Sequence, residues 1–161
     1  MGHYCARRHY TVEQMKDYKQ LAENYFKEGY NCSQAVALAF SDEIGLDRET
    51  LLKITSSFGG GMGRLREVCG AVSGMFIIAG LLQGYTSPED LSKKAEHYAL
   101  IQRLAGLFKE KNGSYVCREL INGDTSSDKT FLRTSKYYKK RPCVSLVGDA
   151  AEILAEILQK D

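Results

Sequence analysis

Residues 59–83 read GGGMGRLREVCGAVSGMFIIAGLLQ and carry the strongest signal for the architecture of the chain. The first five of these residues, Gly59-Gly60-Gly61-Met62-Gly63, predict a loop, because a run of glycines is a poor helix former. The rest predicts a buried central helix over about 64–83. Residues 68–82 form an uncharged run of about 15 residues, which is shorter than the roughly 20 that cross a bilayer. We therefore expect no membrane insertion.

Apolar residues recur at helical spacing on both sides of this stretch, and no alternating strand pattern of useful length is found. The pattern predicts an all-α, single-domain bundle of five to seven helices over residues 1–161, with residues 1–10 as a flexible tail. The other predicted helices span about 12–28 (cap Thr11, capping box Gln14), about 32–43 (cap Asn31, capping box Gln34), a short segment after Asp47, a long segment opened by Ser87-Pro88-Glu89-Asp90 and ended by Gly113, residues 115–121 (cap Ser114) and about 143–159.

Composition excludes several classes of function. The chain has 161 residues, 43% of them hydrophobic, with 22 basic and 20 acidic groups and a net charge of +2. This near balance gives no electrostatic case for nucleic acid as the partner. The five cysteines are too sparse for a disulfide scaffold, and residues 1–14 lack the apolar stretch of a secretory signal. We therefore expect a cytoplasmic protein, in which grouped thiols bind metals or react more often than they form structural bridges.

Four of the cysteines share a placement near predicted helix starts: Cys32, Cys69, Cys117 and Cys143. A helix N-terminus carries partial positive charge and free N–H donors, which stabilise the thiolate that attacks disulfides and binds metals. Four arginines lie close in sequence and are expected to act in the same direction: Arg64, Arg66, Arg118 and Arg141. Each of Cys32, Cys117 and Cys143 is in phase with apolar residues of its own helix, so we expect the thiols to meet in the core.

Packing alone is the competing interpretation, because free cysteine is among the most buried residue types. The shared placement favours a site for the four together. Cys5, between His3 and His9, is interpreted as an accidental thiol, with a part in a weak metal site as the lesser alternative. Gly70, Gly74 and Gly80 remove side chains along the central helix and predict the close approach of neighbouring helices.

The segment Cys69-Gly70-Ala71-Val72-Ser73-Gly74 is a CGAxxG motif. Together with Asn31-Cys32, the glycine run and the single cysteines at positions 117 and 143, it resembles the C-GCAxxG-C-C family of redox-active proteins over residues 20–150. The resemblance implies a small prokaryotic protein with a redox role, and it maps the four characteristic cysteines of the family onto Cys32, Cys69, Cys117 and Cys143. It supplies no substrate.

Three uses of four thiolates compete: disulfide exchange, an iron–sulfur cluster and a Cys₄ zinc site. No C-x-x-C occurs, which argues against a thioredoxin-like motif and a zinc ribbon. We predict a thiol-based redox protein with Cys69 as the central residue and Cys32, Cys117 and Cys143 as partners in exchange or as ligands. The alternative is a non-enzymatic metal-binding or iron–sulfur module, an electron carrier or accessory protein. The cofactor, the redox partner, the oligomeric state (a homo-oligomer included) and whether the protein is an oxidoreductase enzyme stay open.

Two further segments carry weaker signals. The glycine run favours a tight turn that brings Cys69 near the other thiols, with anion or cofactor binding as the lesser reading; the candidate cofactor-binding glycines are Gly59, Gly60, Gly61, Gly63, Gly70 and Gly74. Residues 123–141 are polar and basic and predict a solvated loop. Its basic aromatic part, residues 129–141, has two alternative roles, closing over an anionic small molecule or docking an acidic partner. His97 is assigned no role.

Overall fold

A computed structural model describes residues 16–126, 128 and 132–160. Over these residues the chain forms eight regular α-helices, a 3₁₀ turn (Ser56–Phe58), a distorted helical turn (Gly59–Met62) and no strand, which confirms the all-α prediction. Among the described helices, none combines the length and the apolar character that a membrane crossing requires. The helices are α1 (Tyr18–Lys27), α2 (Cys32–Ala39), α3 (Arg48–Thr55), α4 (Gly70–Gln83), α5 (Leu91–Asn112), α6 (Cys117–Leu120), α7 (Ser135–Lys140) and α8 (Cys143–Lys160).

The short helix α2 lies at the centre of the bundle. Six of its eight residues are buried, and it packs against α1, α4 and α8. The central helix α4 is apolar on most of its surface, and α8 presents a long apolar stripe to α1, α2 and α4. The buried aliphatic and aromatic side chains of these four helices form one continuous core. The starts of α2, α4 and α8 lie at its edge.

Several predicted helix ends are confirmed. Asn31 caps α2 and forms the reciprocal capping box with Gln34, Asp47 caps α3, and Gly113 ends α5 in the left-handed conformation. Other predicted starts were wrong. Helix α1 begins at Tyr18 because the Asp17 side chain accepts a hydrogen bond from the Gln20 N–H. The predicted cap residues Thr11 and Gln14 lie outside the described residues, as do the predicted tail and Cys5.

The long helix α5 likewise starts later than predicted. Its cap is Asp90, whose side chain accepts a hydrogen bond from the Lys93 N–H, so Ser87 and Pro88 stand before the helix. The predicted cap of α6 also changes its role. The Ser114 hydroxyl accepts a hydrogen bond from the Val116 N–H, and Val116 occupies the cap position itself.

The central helix begins at Gly70, six residues later than predicted. The backbone is left-handed at Gly60, Gly61, Met62, Gly63, Arg64 and Arg66. The chain then pairs with the segment before α6 instead of coiling: the Cys69 N–H donates to the Tyr115 carbonyl at 2.8 Å, and the Cys117 N–H donates to the Glu67 carbonyl at 2.6 Å. These long-range hydrogen bonds replace the intrahelical ones, so the predicted helical part 64–69 is loop.

Two of the three glycines predicted to bring helices together do so. A Cβ on Gly70 would lie 2.7 Å from the Phe58 carbonyl oxygen, and one on Gly74 would lie 2.7 Å from the Ser33 carbonyl oxygen, so both positions exclude a side chain. The prediction for Gly80 was wrong, because a Cβ there would meet no atom of another element within 4 Å. The close contact is therefore confined to the first half of α4, where it packs on α2.

The predicted loop over residues 123–141 contains helix α7. The Thr134 hydroxyl accepts a hydrogen bond from the Tyr137 N–H and caps it. The prediction of a solvated loop was wrong at its end, because Arg141 is only 6% exposed. Lys129 and Phe131 lie outside the described residues.

Candidate functional site

A cavity of about 490 Å³ opens at the edge of the core, where α2, α4, α6 and α8 begin. Four cysteines line it together: Cys32, Cys69, Cys117 and Cys143. The last three are buried and Cys32 is half-buried. The four thiols, which the sequence scatters over more than a hundred positions, therefore reach one shared space. All four are free thiols.

Each cysteine stands at a helix start. Cys32, Cys117 and Cys143 are the first residues of α2, α6 and α8, and Cys69 is the cap residue of α4. This confirms the placement read from the sequence, although Cys69 lies before its helix and not within it. The helices behind them differ in length, from four residues in α6 to 18 in α8.

Two glycines without side chains allow the backbone to pack directly against two of the cysteines. A Cβ on Gly61 would lie 2.6 Å from the Cys117 Cβ, and one on Gly70 would lie 3.0 Å from the Cys32 Cβ. The left-handed turn thus supports Cys117, and the motif glycine Gly70 supports Cys32. This agrees with the interpretation of the glycine run as a tight turn.

The candidate cofactor-binding glycines divide into two groups. The lining of the cavity includes Gly59, Gly60, Gly61, Gly63 and Gly70. Gly74 lies outside the lining, because its missing side chain makes room for the α2 backbone at Ser33.

Cys143 has the environment of a thiolate. A hydrogen bond from the Cys32 thiol is the largest of the effects that lower the pKa of Cys143 to about 6, against the opposing effect of burial. The Tyr137 hydroxyl donates a second hydrogen bond, and the positive charges of Arg141 and Arg133 act in the same direction. Its position at the first turn of an 18-residue helix adds the helix dipole.

The other three thiols are held protonated. The pKa of Cys32 is raised well above its usual range, first by its hydrogen bond to Cys143 and then by burial. Burial raises the pKa of Cys69 to about 12, although the N–H groups of Ala71 and Val72 oppose this. Burial also raises the pKa of Cys117, and Arg66 opposes it.

The residues around Cys143 come largely from the predicted loop. Arg133 lies 3.8 Å above the Phe26 ring and donates to the backbone carbonyls of Phe26 and Tyr30. Arg141 donates from Nε to Asp124 at 2.9 Å. We call Cys32, Arg133, Tyr137, Arg141 and Cys143 the Cys143 wall.

Arg133 and Tyr137 were predicted only as part of the basic aromatic segment 129–141 and not as individual site residues. Their spacing of four residues is no helical signal, because Tyr137 lies within α7 whereas Arg133 precedes the Thr134 cap.

A second group of lining residues surrounds the other two thiols, and we call Gly61, Arg66, Cys69 and Cys117 the Cys69 wall. The Arg66 Nη1 lies 3.7 Å from the Cys117 sulfur, and the same guanidinium pairs with Asp128. The expectation that four arginines act on the thiols holds for Arg66 and Arg141. Arg118 instead pairs with Glu67 on the surface.

The four cysteines are also candidate ligands of a metal or an iron–sulfur cluster. Thiolates are the donors that zinc and iron–sulfur clusters prefer. Within residues 16–126, 128 and 132–160, however, no three cysteine, histidine, aspartate or glutamate side chains are grouped so that they could hold a metal ion. We therefore derive no chemical step through a metal.

Comparison with known proteins gives one result. A family model described as "Putative redox-active protein (C_GCAxxG_C_C)" matches residues 30–157, which include all four cysteines of the cavity. The first two letters of its central motif stand here in the order Cys69-Gly70, the reverse of the order in that description. No curated protein and no solved structure matches the chain.

Proposed function

Because the chain belongs to the C_GCAxxG_C_C family, we propose that its redox role is thiol–disulfide exchange, with Cys143 as the attacking thiolate and Cys32 as the thiol that completes the reaction. Both residues line one cavity, each is the first residue of its helix, and each thiol shifts the pKa of the other. Their shared cavity carries the proposal, because an attacking and a completing thiol must come within reach of each other.

The reaction consumes one disulfide. The Cys143 thiolate attacks a sulfur of the substrate, the substrate S–S bond breaks as the mixed disulfide forms, and the second substrate sulfur leaves and takes a proton from solvent. Cys32 then gives up its proton to solvent and attacks the Cys143 sulfur, which releases the other half of the substrate. The substrate disulfide has gained two electrons, and the Cys32–Cys143 dithiol has lost them. A dithiol reductant returns the protein to its starting state.

The charges favour Cys143 over Cys69 as the attacking residue. At pH 7 a thiol with a pKa of about 6 is about nine-tenths thiolate, whereas one with a pKa of about 12 is ionised to about one part in 10⁵. The central role of Cys69 is a prediction from the sequence alone. In this proposal Cys69 and Cys117 support the cavity and stay protonated.

Trapping the mixed disulfide tests the proposal. Reduced protein is treated with 2-hydroxyethyl disulfide and analysed by mass spectrometry after acid quenching. The wild type should accumulate as the Cys32–Cys143 disulfide. In Cys32→Ser, one thiol half of the probe should remain bound to Cys143 as a mixed disulfide. Cys117→Ser is the matched control and should behave as the wild type. A probe adduct on Cys69, or no reaction at all, would contradict the proposal.

The metal-binding or iron–sulfur module remains the alternative function, since four thiols line one cavity. Purification without oxygen, a visible spectrum, metal analysis and a thiol count separate the two. Exchange predicts a colourless, metal-free protein whose thiols cycle between free and bridged. A brown protein with iron and sulfide, or one with stoichiometric zinc, would replace the proposal by the module.

A further inference from the structure

Resting on the proposed function, we infer that the substrate is the disulfide of a small anionic thiol, which enters the cavity and is oriented there by arginines. The inference depends on three properties of the cavity: its size and depth, the charge of its lining, and its apolar wall. None of these is needed for disulfide exchange itself, so each narrows the class of substrate.

The size and depth favour a small molecule over a disulfide within a protein. A volume of about 490 Å³ lies within the range of small-molecule sites, which is roughly 300–1,000 Å³. Cys143 is only 7% exposed, and its partner Cys32 is half-buried. A disulfide on a folded protein surface would have to push its backbone into the cavity to reach these sulfurs. A short, unbranched disulfide can enter whole.

The charge of the lining is positive. The described residues that line the cavity include Arg64, Arg66, Arg133 and Arg141 and no Asp or Glu, so the Cys143 thiolate is the anionic group among them. Behind this lining, Asp128 and Asp124 pair with two of the arginines. Arg133 differs, because it donates to the Phe26 and Tyr30 carbonyls, which carry no net charge. Its positive charge is therefore left to act on groups within the cavity.

The other part of the cavity lining is apolar. Leu120, Ile121, Leu146 and Val147 line the cavity together with the Tyr137 ring. A ligand with a sulfur-containing middle and charged ends suits such a space, since its middle can contact these side chains while its carboxylates reach the arginines. The positively charged lining also opposes a cationic disulfide. Disulfides of similar size should therefore react at rates that depend on their charge.

Three short disulfides of similar size test this: dithiodiglycolate (anionic), 2-hydroxyethyl disulfide (neutral) and cystamine (cationic). We expect rates of thiol release to fall in that order, with dithiodiglycolate ahead of the neutral probe by about tenfold or more at low salt. The difference should shrink as ionic strength rises. In Arg133→Gln the ratio of the anionic to the neutral rate should fall, whereas Arg118→Gln, a surface change outside the cavity, should keep the wild-type ratio.

The ratio of the anionic to the neutral rate separates substrate preference from the reactivity of Cys143. A change in the amount of Cys143 thiolate affects the rates of all three probes alike. Exchange with equal rates or the reverse order would overturn the inference and leave the proposed function standing. Faster reduction of insulin, a protein disulfide, than of dithiodiglycolate would also overturn it.

A binding measurement tests the inference even if no probe reacts. Calorimetry on Cys143→Ser, which lacks the attacking sulfur, should show tighter binding of dithiodiglycolate than of cystamine. Equal affinity, or no binding of the anionic probe, would overturn the inference whatever the exchange assay gives.

Discussion

The Cys143 wall and the Cys69 wall line the same cavity and place their cysteines in the same way, yet they shift the pKa of the thiol in opposite directions. Cys143 and Cys69 both stand at the start of a long, buried helix. The pKa of Cys143 is lowered to about 6, and that of Cys69 is raised to about 12. A helix N-terminus is therefore not enough to make a thiolate at a buried position.

The difference lies in the donors that the side chains supply. Cys143 receives hydrogen bonds from Cys32 and Tyr137, and two arginine charges add to them. Cys69 has only the N–H groups of Ala71 and Val72 against the cost of burial. A buried charge is expensive unless it is paired and hydrogen-bonded, so the wall with more donors holds the anion.

The largest effect expected from this comparison concerns the two cysteines themselves. Cys143→Ser should reduce the rate of disulfide exchange at pH 7 by about a hundredfold or more, because the thiolate is the nucleophile. Cys69→Ser should retain most of the rate. The measurement is thiol release from 2-hydroxyethyl disulfide, with circular dichroism to check that both variants keep their helices. The reverse ranking would mean that the walls have been assigned the wrong way round.

The second effect tests the role of the left-handed turn in the Cys69 wall. Gly61→Ala should lower the free energy of unfolding by about 2–4 kcal/mol, since alanine is strained at this positive φ and its Cβ would meet Cys117 and the backbone of Arg66. Gly106→Ala, at an exposed position within α5, should raise it by about 0.5–1 kcal/mol. Denaturant unfolding under reducing conditions gives both values; equal effects would contradict the close contact.

The third effect is a dependence of stability on pH that arises in the Cys143 wall. A pKa lowered by folding means that, between about pH 6 and the usual thiol pKa, the unfolded chain binds a proton that the folded chain has lost. Stability from this group therefore rises with pH in that window, by up to about 1.4 kcal/mol per pH unit, and is lost as the pH falls through 6. The stability of the wild type relative to Cys143→Ser should increase from pH 6 to pH 8. A constant difference would refute it.

The smallest effect comes from removing a single donor. Tyr137→Phe should raise the pKa of Cys143 by about half a unit to one unit, because one hydrogen bond to the thiolate is lost. Tyr138→Phe is the matched control, since the Tyr138 ring packs edge-on against Phe26 and Tyr137. The pKa is measured from thiolate absorbance near 240 nm, with Cys143→Ser as the blank. An equal shift in both variants would point to packing and not to the hydroxyl.

The sequence predicted those parts of the site that depend on local chemistry. The capping box of Asn31 and Gln34 predicted where α2 starts, and the apolar spacing that follows Pro142 placed Cys143 at the start of the last helix. The gathering of four thiols followed from their shared position at helix starts. These features rest on residues within a few positions of each other.

The parts that were missed depend on contacts between distant segments. Nothing within residues 64–69 forbids a helix; the chain is loop there because Glu67 and Cys69 pair with residues near Cys117. The ranking of the thiols depends on Arg133 and Tyr137, which reach Cys143 only when α7 packs over the cavity. The basic aromatic composition of residues 129–141 points to this segment, but neither contact itself has a signature in the local sequence.

We expect Cys143 alone among the four cavity thiols to be ionised near neutral pH. The most direct measurement is the rate of alkylation by iodoacetamide at each cysteine of the folded, reduced protein, resolved by mass spectrometry from pH 5 to pH 10. Labelling at Cys143 should rise with an apparent pKa near 6, while Cys69 and Cys117 label only at alkaline pH. Labelling of Cys69 at a lower pH than Cys143 would contradict the claim.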